Sequence, residues 1–136
     1  MYKKVLILCT GNSCRSIIAE ALINKELEGV KAYSSGVNPS GRVNPLAKKV
    51  LLSHDAWDES YHSKELSEVL DIEFDLVVTV CDNAKESCPI FPKHVKVIHV
   101  GFIDPDGGDE SEFEKTYHDI KEVLLPKVRY ELEKWY

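Results

Sequence analysis

No apolar run in this chain approaches the roughly 18 residues that a membrane-spanning helix requires, so a membrane span is not expected. Met1-Tyr2-Lys3-Lys4 leads directly into an apolar strand with no signal-peptide pattern, which makes a cytoplasmic location the expectation. Clustered basic charge is missing as well. At a net charge of -6 a nucleic-acid surface is disfavoured, and an anionic ligand has to be attracted by local dipoles against the overall field. The cysteines lack metal-ligand spacing: Cys9 and Cys14 lie five apart, Cys81 and Cys88 seven apart, and neither pair matches a zinc knuckle. In a reducing compartment these four thiols are no disulfide framework either. The five histidines (His54, His62, His94, His99 and His118) show no His-x3-His or His-x2-Cys arrangement and read as surface or packing residues without an assigned role. Repeats and low-complexity segments are also lacking. What remains is a chain of 136 residues, 43% of them hydrophobic, enough for one domain spanning 1–136 with a full core.

The chemistry is concentrated near the N-terminus, in Val5-Leu6-Ile7-Leu8-Cys9-Thr10-Gly11-Asn12-Ser13-Cys14-Arg15-Ser16. The four leading apolar residues suit a buried parallel strand, and an apolar-rich segment with helical spacing begins at Ser16, so Cys9 to Arg15 reads as a strand-to-helix loop. Gly11 lets the backbone fold tightly and Asn12 tolerates left-handed dihedrals, so successive N–H groups can converge on one spot capped by the helix N-terminus. Such a cradle, Thr10 through Ser16, binds a tetrahedral oxyanion. Its dipoles and the Arg15 guanidinium also favour a thiolate, which leads to the expectation that Cys9 is ionised at neutral pH, with Ser16 donating to its sulfur. Arg15 supplies a planar fork matched to two oxygens of a phosphate-like group. The bland alternative is that Cys9 is a small apolar residue closing a strand. Strand, Cys, five residues, Arg-Ser and helix arriving in order favour the reactive reading.

Taken in order, the chain alternates strands and helices. The helix from Ser16 runs through about Leu27, with Ile17, Ile18, Ala21, Leu22 and Ile23 as a stripe for one side packed on a sheet, and Gly29 ends it. A short strand Lys31–Ser34 precedes a loop holding Gly36, Pro39 and Gly41. Asn44 reads as an N-cap with Pro45 at the first helical position and Leu46, Ala47, Val50 and Leu51 on the buried side. Ser63, Leu66, Val69 and Leu70 mark a short helix, Asp75–Val80 a strand buried on both faces, and Val95–Val100 another strand. The closing helix begins near Ser111 with Tyr117, Ile120, Leu124, Val128 and Leu132 as its stripe, and Pro126 is expected to kink it or end its first part. Four strands separated by helical segments predict a three-layer α/β fold with a doubly wound, four-stranded parallel sheet flanked by helices, and with ligands beyond the strands' carboxyl ends.

Cys9, Cys81 and Asp104 all follow such ends, so one crevice is expected to receive all three. The acidic run from Asp104 to Glu114 is otherwise a solvated loop and helix start. An aspartate before a proline is commonly just a turn. The functional alternative for Asp104 is a proton donor or acceptor over the bound anion, its pKa raised by the neighbouring negative charges.

Cys9-Thr-Gly-Asn-Ser-Cys14-Arg15-Ser16 with the late Asp104-Pro105 resembles the low-molecular-weight protein tyrosine phosphatase fold. Val80-Cys81-Asp-Asn-Ala-Lys-Glu-Ser-Cys88-Pro89 resembles the redox segment of thioredoxin-coupled arsenate reductases built on that fold, as do Tyr33-Ser34-Ser35-Gly36, Val43-Asn44-Pro45 and Gly101-Phe102. The resemblance spans essentially the whole chain and implies a monomeric enzyme reducing arsenate to arsenite, with phosphate or sulfate as mimics. In the family scheme Cys9 attacks arsenic, Arg15 and the loop amides hold the oxygens, and Asp104 helps a hydroxide leave. Cys81 then attacks the Cys9 sulfur, and Cys88 attacks Cys81 to leave a disulfide that thioredoxin reduces. The polar segment Asp82–Ser87 between them would be a helix able to unravel. The resemblance further implies a monovalent cation at Asn12, Glu20, Ser34 and Glu65, although Glu65 departs from the aspartate or asparagine seen there; no tightly bound cofactor is expected. Cys14 is expected to pack under the loop, close enough in sequence to trap Cys9 on oxidation.

The rival reading is a phosphatase acting on phosphomonoesters. It uses Cys9, Arg15 and Asp104 but leaves Cys81 and Cys88 idle. That family tends to place proline after Arg-Ser and tyrosines after Asp-Pro, where this chain has Ile17 and Asp106-Gly107-Gly108. A third class, a non-catalytic redox-sensing or phosphate-binding module, is disfavoured by intact Arg15 and Asp104.

Overall fold

The computed structural model describes residues 2–81, 91 and 95–133. Among these described residues the strands are β1 (Lys3–Cys9), β2 (Val30–Gly36), β3 (Leu76–Thr79) and β4 (Lys96–His99), and the helices are α1 (Arg15–Glu26), α2 (Pro45–Ser53) and α3 (Glu110–Glu133), with a 3-10 turn at Leu66–Glu68. The sheet order is β2-β1-β3-β4 and every pairing is parallel. Register aligns Cys9 with Gly36, Leu8 with Thr79 and Thr79 with His99, so the carboxyl ends of all the strands finish along one edge of the sheet. The expected parallel sheet flanked by helices is what the chain forms.

β1 is paired on both flanks, which is why Val5 to Leu8 and the facing Leu76, Val77 and Val78 are fully or almost fully buried without any polar alternation. In α1 a one-sided apolar stripe was the expectation. Instead every residue from Ser16 to Ile23 is buried, because this helix packs against β1, β2, α2 and α3 together. Asn44 caps α2 as expected, its side-chain oxygen accepting from the Leu46 N–H at 2.9 Å, with Pro45 in the first turn. The short helix begins later than Ser63 and amounts to one 3-10 turn; Val69 is buried behind it while Leu70 faces solvent.

α3 is where the proline rule gives way. The helix runs without interruption through Pro126, and its stripe of Tyr117, Ile120, Leu124, Val128 and Leu132 is buried as expected, with Phe113 added. Pro126 and Glu122, whose carbonyl the missing N–H would have served, are both exposed residues, so that carbonyl is left on the solvent side rather than in the core. Among the described residues no helix is long and apolar enough to cross a membrane.

Candidate active site

The loop between β1 and α1 owes its shape to where its carbonyl groups go. The carbonyl of Cys9 accepts from Val37, that of Thr10 from Asn38, that of Gly11 from Ser40 and from the Ser63 hydroxyl, and that of Ser13 from Asn44, all at 2.9–3.0 Å. Peptide groups are planar with N–H opposed to C=O, so carbonyls fastened outward turn the following N–H groups inward. Asn12 takes the left-handed conformation anticipated for it, with φ of 49°. Gly36 lies directly beneath the loop.

Asn12 is fully buried and acts as the loop's fastener. Its amide nitrogen donates to Ser16 Oγ at 2.8 Å and Ser34 Oγ at 2.9 Å, and its oxygen accepts from the Lys64 backbone at 2.9 Å. Ser16, expected to reach the Cys9 sulfur, is therefore found holding Asn12. Ser34 in turn donates to Glu20 Oε1 at 2.6 Å. Asn12, Glu20 and Ser34 thus come together as the family's cation site implies, but Glu65 does not join them: its side chain is exposed and meets Ser67. The buried neighbour is Lys64, whose ammonium donates to the His62 carbonyl at 3.0 Å. Burial pushes the Glu20 carboxyl up, and among the described residues Lys64 is the cation opposing that rise most. Burial likewise pulls the Lys64 ammonium down, with Glu20 acting against it. An Asn12 amide presenting N–H rather than oxygen to Ser34, and a lysine already serving Glu20, do not fit a bound monovalent cation.

Arg15 opens α1 and its side chain is only 12% exposed. One terminal nitrogen donates to the Phe102 carbonyl at 3.1 Å and the other pairs with Asp104 Oδ2 at 3.4 Å. Its Nε is buried without a hydrogen-bond partner, a donor whose desolvation an incoming oxyanion would relieve. Asp104 is half exposed; its other oxygen accepts from the Asp106 N–H at 3.0 Å, and Asp106 is in turn held by Asn44 at 3.0 Å.

Cys9 and Cys14 are buried free thiols, and Cys81 is buried beside them. Cys81 lies close enough to Cys9 to act on its thiol, and its sulfur is 3.1 Å from Thr10 Oγ1. The three residues expected to share one crevice are brought to the same end of the sheet, with Cys81 near Cys9 and Asp104 joined to the loop through Arg15. The ionised Cys9 expected from the sequence is not what its buried surroundings favour. Burial pushes its thiol up to about 12; Arg15 and the Thr10 N–H pull it down, while the Cys81 thiol adds to the rise. Burial likewise pushes Cys14 up to about 11, its thiol 3.7 Å from Ser13 Oγ. Cys88, the segment from Asp82 to Ser87 and His94 lie outside the described residues.

A doubly wound sheet with a Cys-x5-Arg-Ser loop at its central strand defines the low-molecular-weight phosphatase-like class of α/β proteins. The chain belongs to that family: residues 4–134 match the model for low molecular weight phosphotyrosine protein phosphatase. It is similar to the arsenate reductase of Staphylococcus aureus (strain N315), 43% identical over 123 residues covering 88% of this chain and 91% of the relative. Among solved structures it is similar to an arsenate reductase from Archaeoglobus fulgidus, at 35% identity and a TM-score of 0.72 over 87% of this chain and 93% of that one. The low molecular weight protein tyrosine phosphatase of T. tengcongensis superposes at a TM-score of 0.79 over 94% of this chain and 99% of that one, at 24% identity, which speaks for the fold alone.

Gly36 and Lys64 are site residues that the sequence did not disclose. A lone lysine among polar residues carries no signal, whereas Gly36, in a Ser-Ser-Gly sequence at a strand end, carries a faint one.

Proposed function

We propose that the protein reduces arsenate to arsenite with a relay of three thiols, Cys9, Cys81 and Cys88, restored by thioredoxin. The observation that carries this reading is the placing of a second cysteine beside the loop, the Cys81 sulfur 3.1 Å from Thr10 Oγ1 and near enough to Cys9 to act on its thiol, an arrangement for which hydrolysis has no use. The similarity to arsenate reductases supports the same substrate.

Arsenate enters the ring of inward N–H groups, with Arg15 Nε as an added donor. A dry thiol beside a second thiol keeps its proton, and the dianion supplies the base. The Cys9 proton passes to an arsenate oxygen, the thiolate forms the As–S bond, and that oxygen leaves as water with Asp104 assisting the transfer. The Cys81 sulfur then attacks Cys9 Sγ. As the S–S bond forms, the As–S electron pair stays on arsenic, which falls from As(V) to As(III) and departs as arsenite. Cys88 attacks Cys81, freeing Cys9 as a thiolate and leaving the Cys81–Cys88 disulfide for the thioredoxin dithiol to reduce. A monomer in the cytoplasm, where thiols are kept reduced, belongs to this reading.

The test supplies purified protein with arsenate, thioredoxin, thioredoxin reductase and NADPH, and compares wild type with Cys88→Ser. Steady NADPH consumption is expected in the wild type and lost in the variant, while cleavage of p-nitrophenyl phosphate survives in both. Equal NADPH consumption by the two proteins would refute the relay. Phosphomonoester cleavage with no arsenate-dependent NADPH use in the wild type would make the protein a phosphatase.

A further inference from the structure

Away from the loop, the far end of α2 meets α3 in a cluster that neither the fold nor the thiol chemistry requires. His54 closes α2, and Glu114 and His118, four apart, share one face of α3. His54 Nε2 lies 2.5 and 2.9 Å from the two Glu114 oxygens, and His118 Nε2 lies 3.8 Å from Glu114 Oε1. The three ligand atoms are all within 4.8 Å of one another. Ligands held at about 2.0–2.1 Å around a four-coordinate zinc-like ion stand roughly 3.3 Å apart, so small side-chain rotations bring these atoms onto one ion.

The cluster is positioned from the core. Tyr117, which is buried, stacks on the His54 ring with centroids 4.0 Å apart and planes 10° from parallel, fixing the plane in which Nε2 points. The His118 ring meets His54 edge-on at 5.7 Å. The side chains of His54, Glu114 and His118 are 28%, 38% and 53% exposed, so an ion can enter from solvent and keep a water in its open position. Two nearby lysines do not contest the carboxylate: Lys49 is paired with Glu110 at 3.1 Å and Lys121 with Glu26 at 3.6 Å.

We propose that His54, Glu114 and His118 form a binding site for a borderline divalent transition-metal ion of the zinc, cobalt, nickel or copper type. Two imidazoles and one carboxylate select these ions over magnesium and calcium, which require mostly oxygen ligands. α2 has nine residues, so its far end lies about 13 Å along the helix axis from the end that holds the loop. The ion's role is accordingly a clip between α2 and α3 and not a part in thiol chemistry. Because Asn44 at the near end of α2 fastens both the Ser13 carbonyl and Asp106, pinning the far end steadies the helix on which those contacts depend.

Titration of the full chain with Co2+ tests the site, because cobalt reports its ligands. One equivalent is expected to bind with the visible d–d spectrum of nitrogen and oxygen ligands and without a thiolate charge-transfer band, and the melting temperature is expected to rise. Zn2+ should displace it and excess Mg2+ should not. His118→Ala, at the most exposed ligand, and Glu114→Gln should each weaken Co2+ binding at least tenfold while the metal-free melting temperature of His118→Ala stays close to wild type. A thiolate spectrum, binding undiminished in both variants, displacement by Mg2+, or no uptake at micromolar Co2+ would each overturn the proposal.

Discussion

Gly36 sits so close under Thr10 that a methyl group on it would come within 2.6 Å of the Thr10 carbonyl oxygen and about 3.1–3.2 Å from Asn12. Neither neighbour can retreat, since the Thr10 carbonyl is bonded to Asn38 and the buried Asn12 to three partners. Gly36→Ala is therefore expected to push the loop outward, lower the melting temperature and cut kcat/KM for arsenate on the order of 100-fold, as a displacement near 1 Å at a reacting centre does. Steady-state kinetics and a thermal melt on the same preparation check this.

The Cys81 thiol raises the Cys9 pKa, whereas Arg15 lowers it. With Cys9 at about 12 in the ligand-free protein, its alkylation by iodoacetamide should be slow at neutral pH and quicken about tenfold per pH unit as the thiolate fraction grows. Cys81→Ala removes a cause of the rise, so the profile should move to lower pH; Arg15→Met removes an opposing cause and should move it higher. Mass spectrometry of the Cys9 peptide measures both. An unmoved profile in Cys81→Ala would show that the two thiols do not interact in solution.

Lys64 and Glu20 are both buried, and each opposes the shift that burial imposes on the other. Lys64→Met leaves the Glu20 carboxyl buried without that cation and should cost about 3 kcal/mol in urea denaturation. The wild type should unfold at the same urea concentration in potassium chloride as in choline chloride. The variant should gain stability from potassium, which can take up the vacated charge.

Asp104 pairs with Arg15 at 3.4 Å while remaining half exposed, and a pair in that setting contributes less than about 1 kcal/mol. Asp104→Asn should accordingly leave the melting temperature nearly unchanged. If the carboxyl moves a proton, single-turnover reaction with arsenate should slow by about 100-fold or more. A rate within a few-fold of wild type would reduce Asp104 to a turn residue.

The parts of this molecule legible in its sequence are those where one local rule governs. Val5 to Leu8 announced a strand because a strand paired on both flanks tolerates no polar face, and Asn44-Pro45 announced a helix start because a cap and a fixed φ act within three residues. Pro126 does not end the helix, because the carbonyl it orphans belongs to the exposed Glu122 and is not shut into the core. α1 misled because a stripe predicts how much of a helix is buried by one neighbour and not by several. At the site, Cys9, Arg15 and Asn12 were readable from one contiguous loop. Gly36, Lys64 and the His54–Glu114–His118 cluster were not, because each depends on residues 24 to 64 positions apart meeting through the fold. The acidity of Cys9 was misjudged for a related reason: a sequence displays the arginine beside the thiol but not the depth of its burial.

β1 and β3 are each hydrogen-bonded on both sides, but β1 runs for seven residues and β3 for only four before the chain reaches Cys81. Amide exchange should consequently be slowest along Val5–Leu8, so the attacking sulfur hangs from the least yielding stretch of backbone. On the proposed relay, Cys9 then keeps its place and its reaction partners have to come to it.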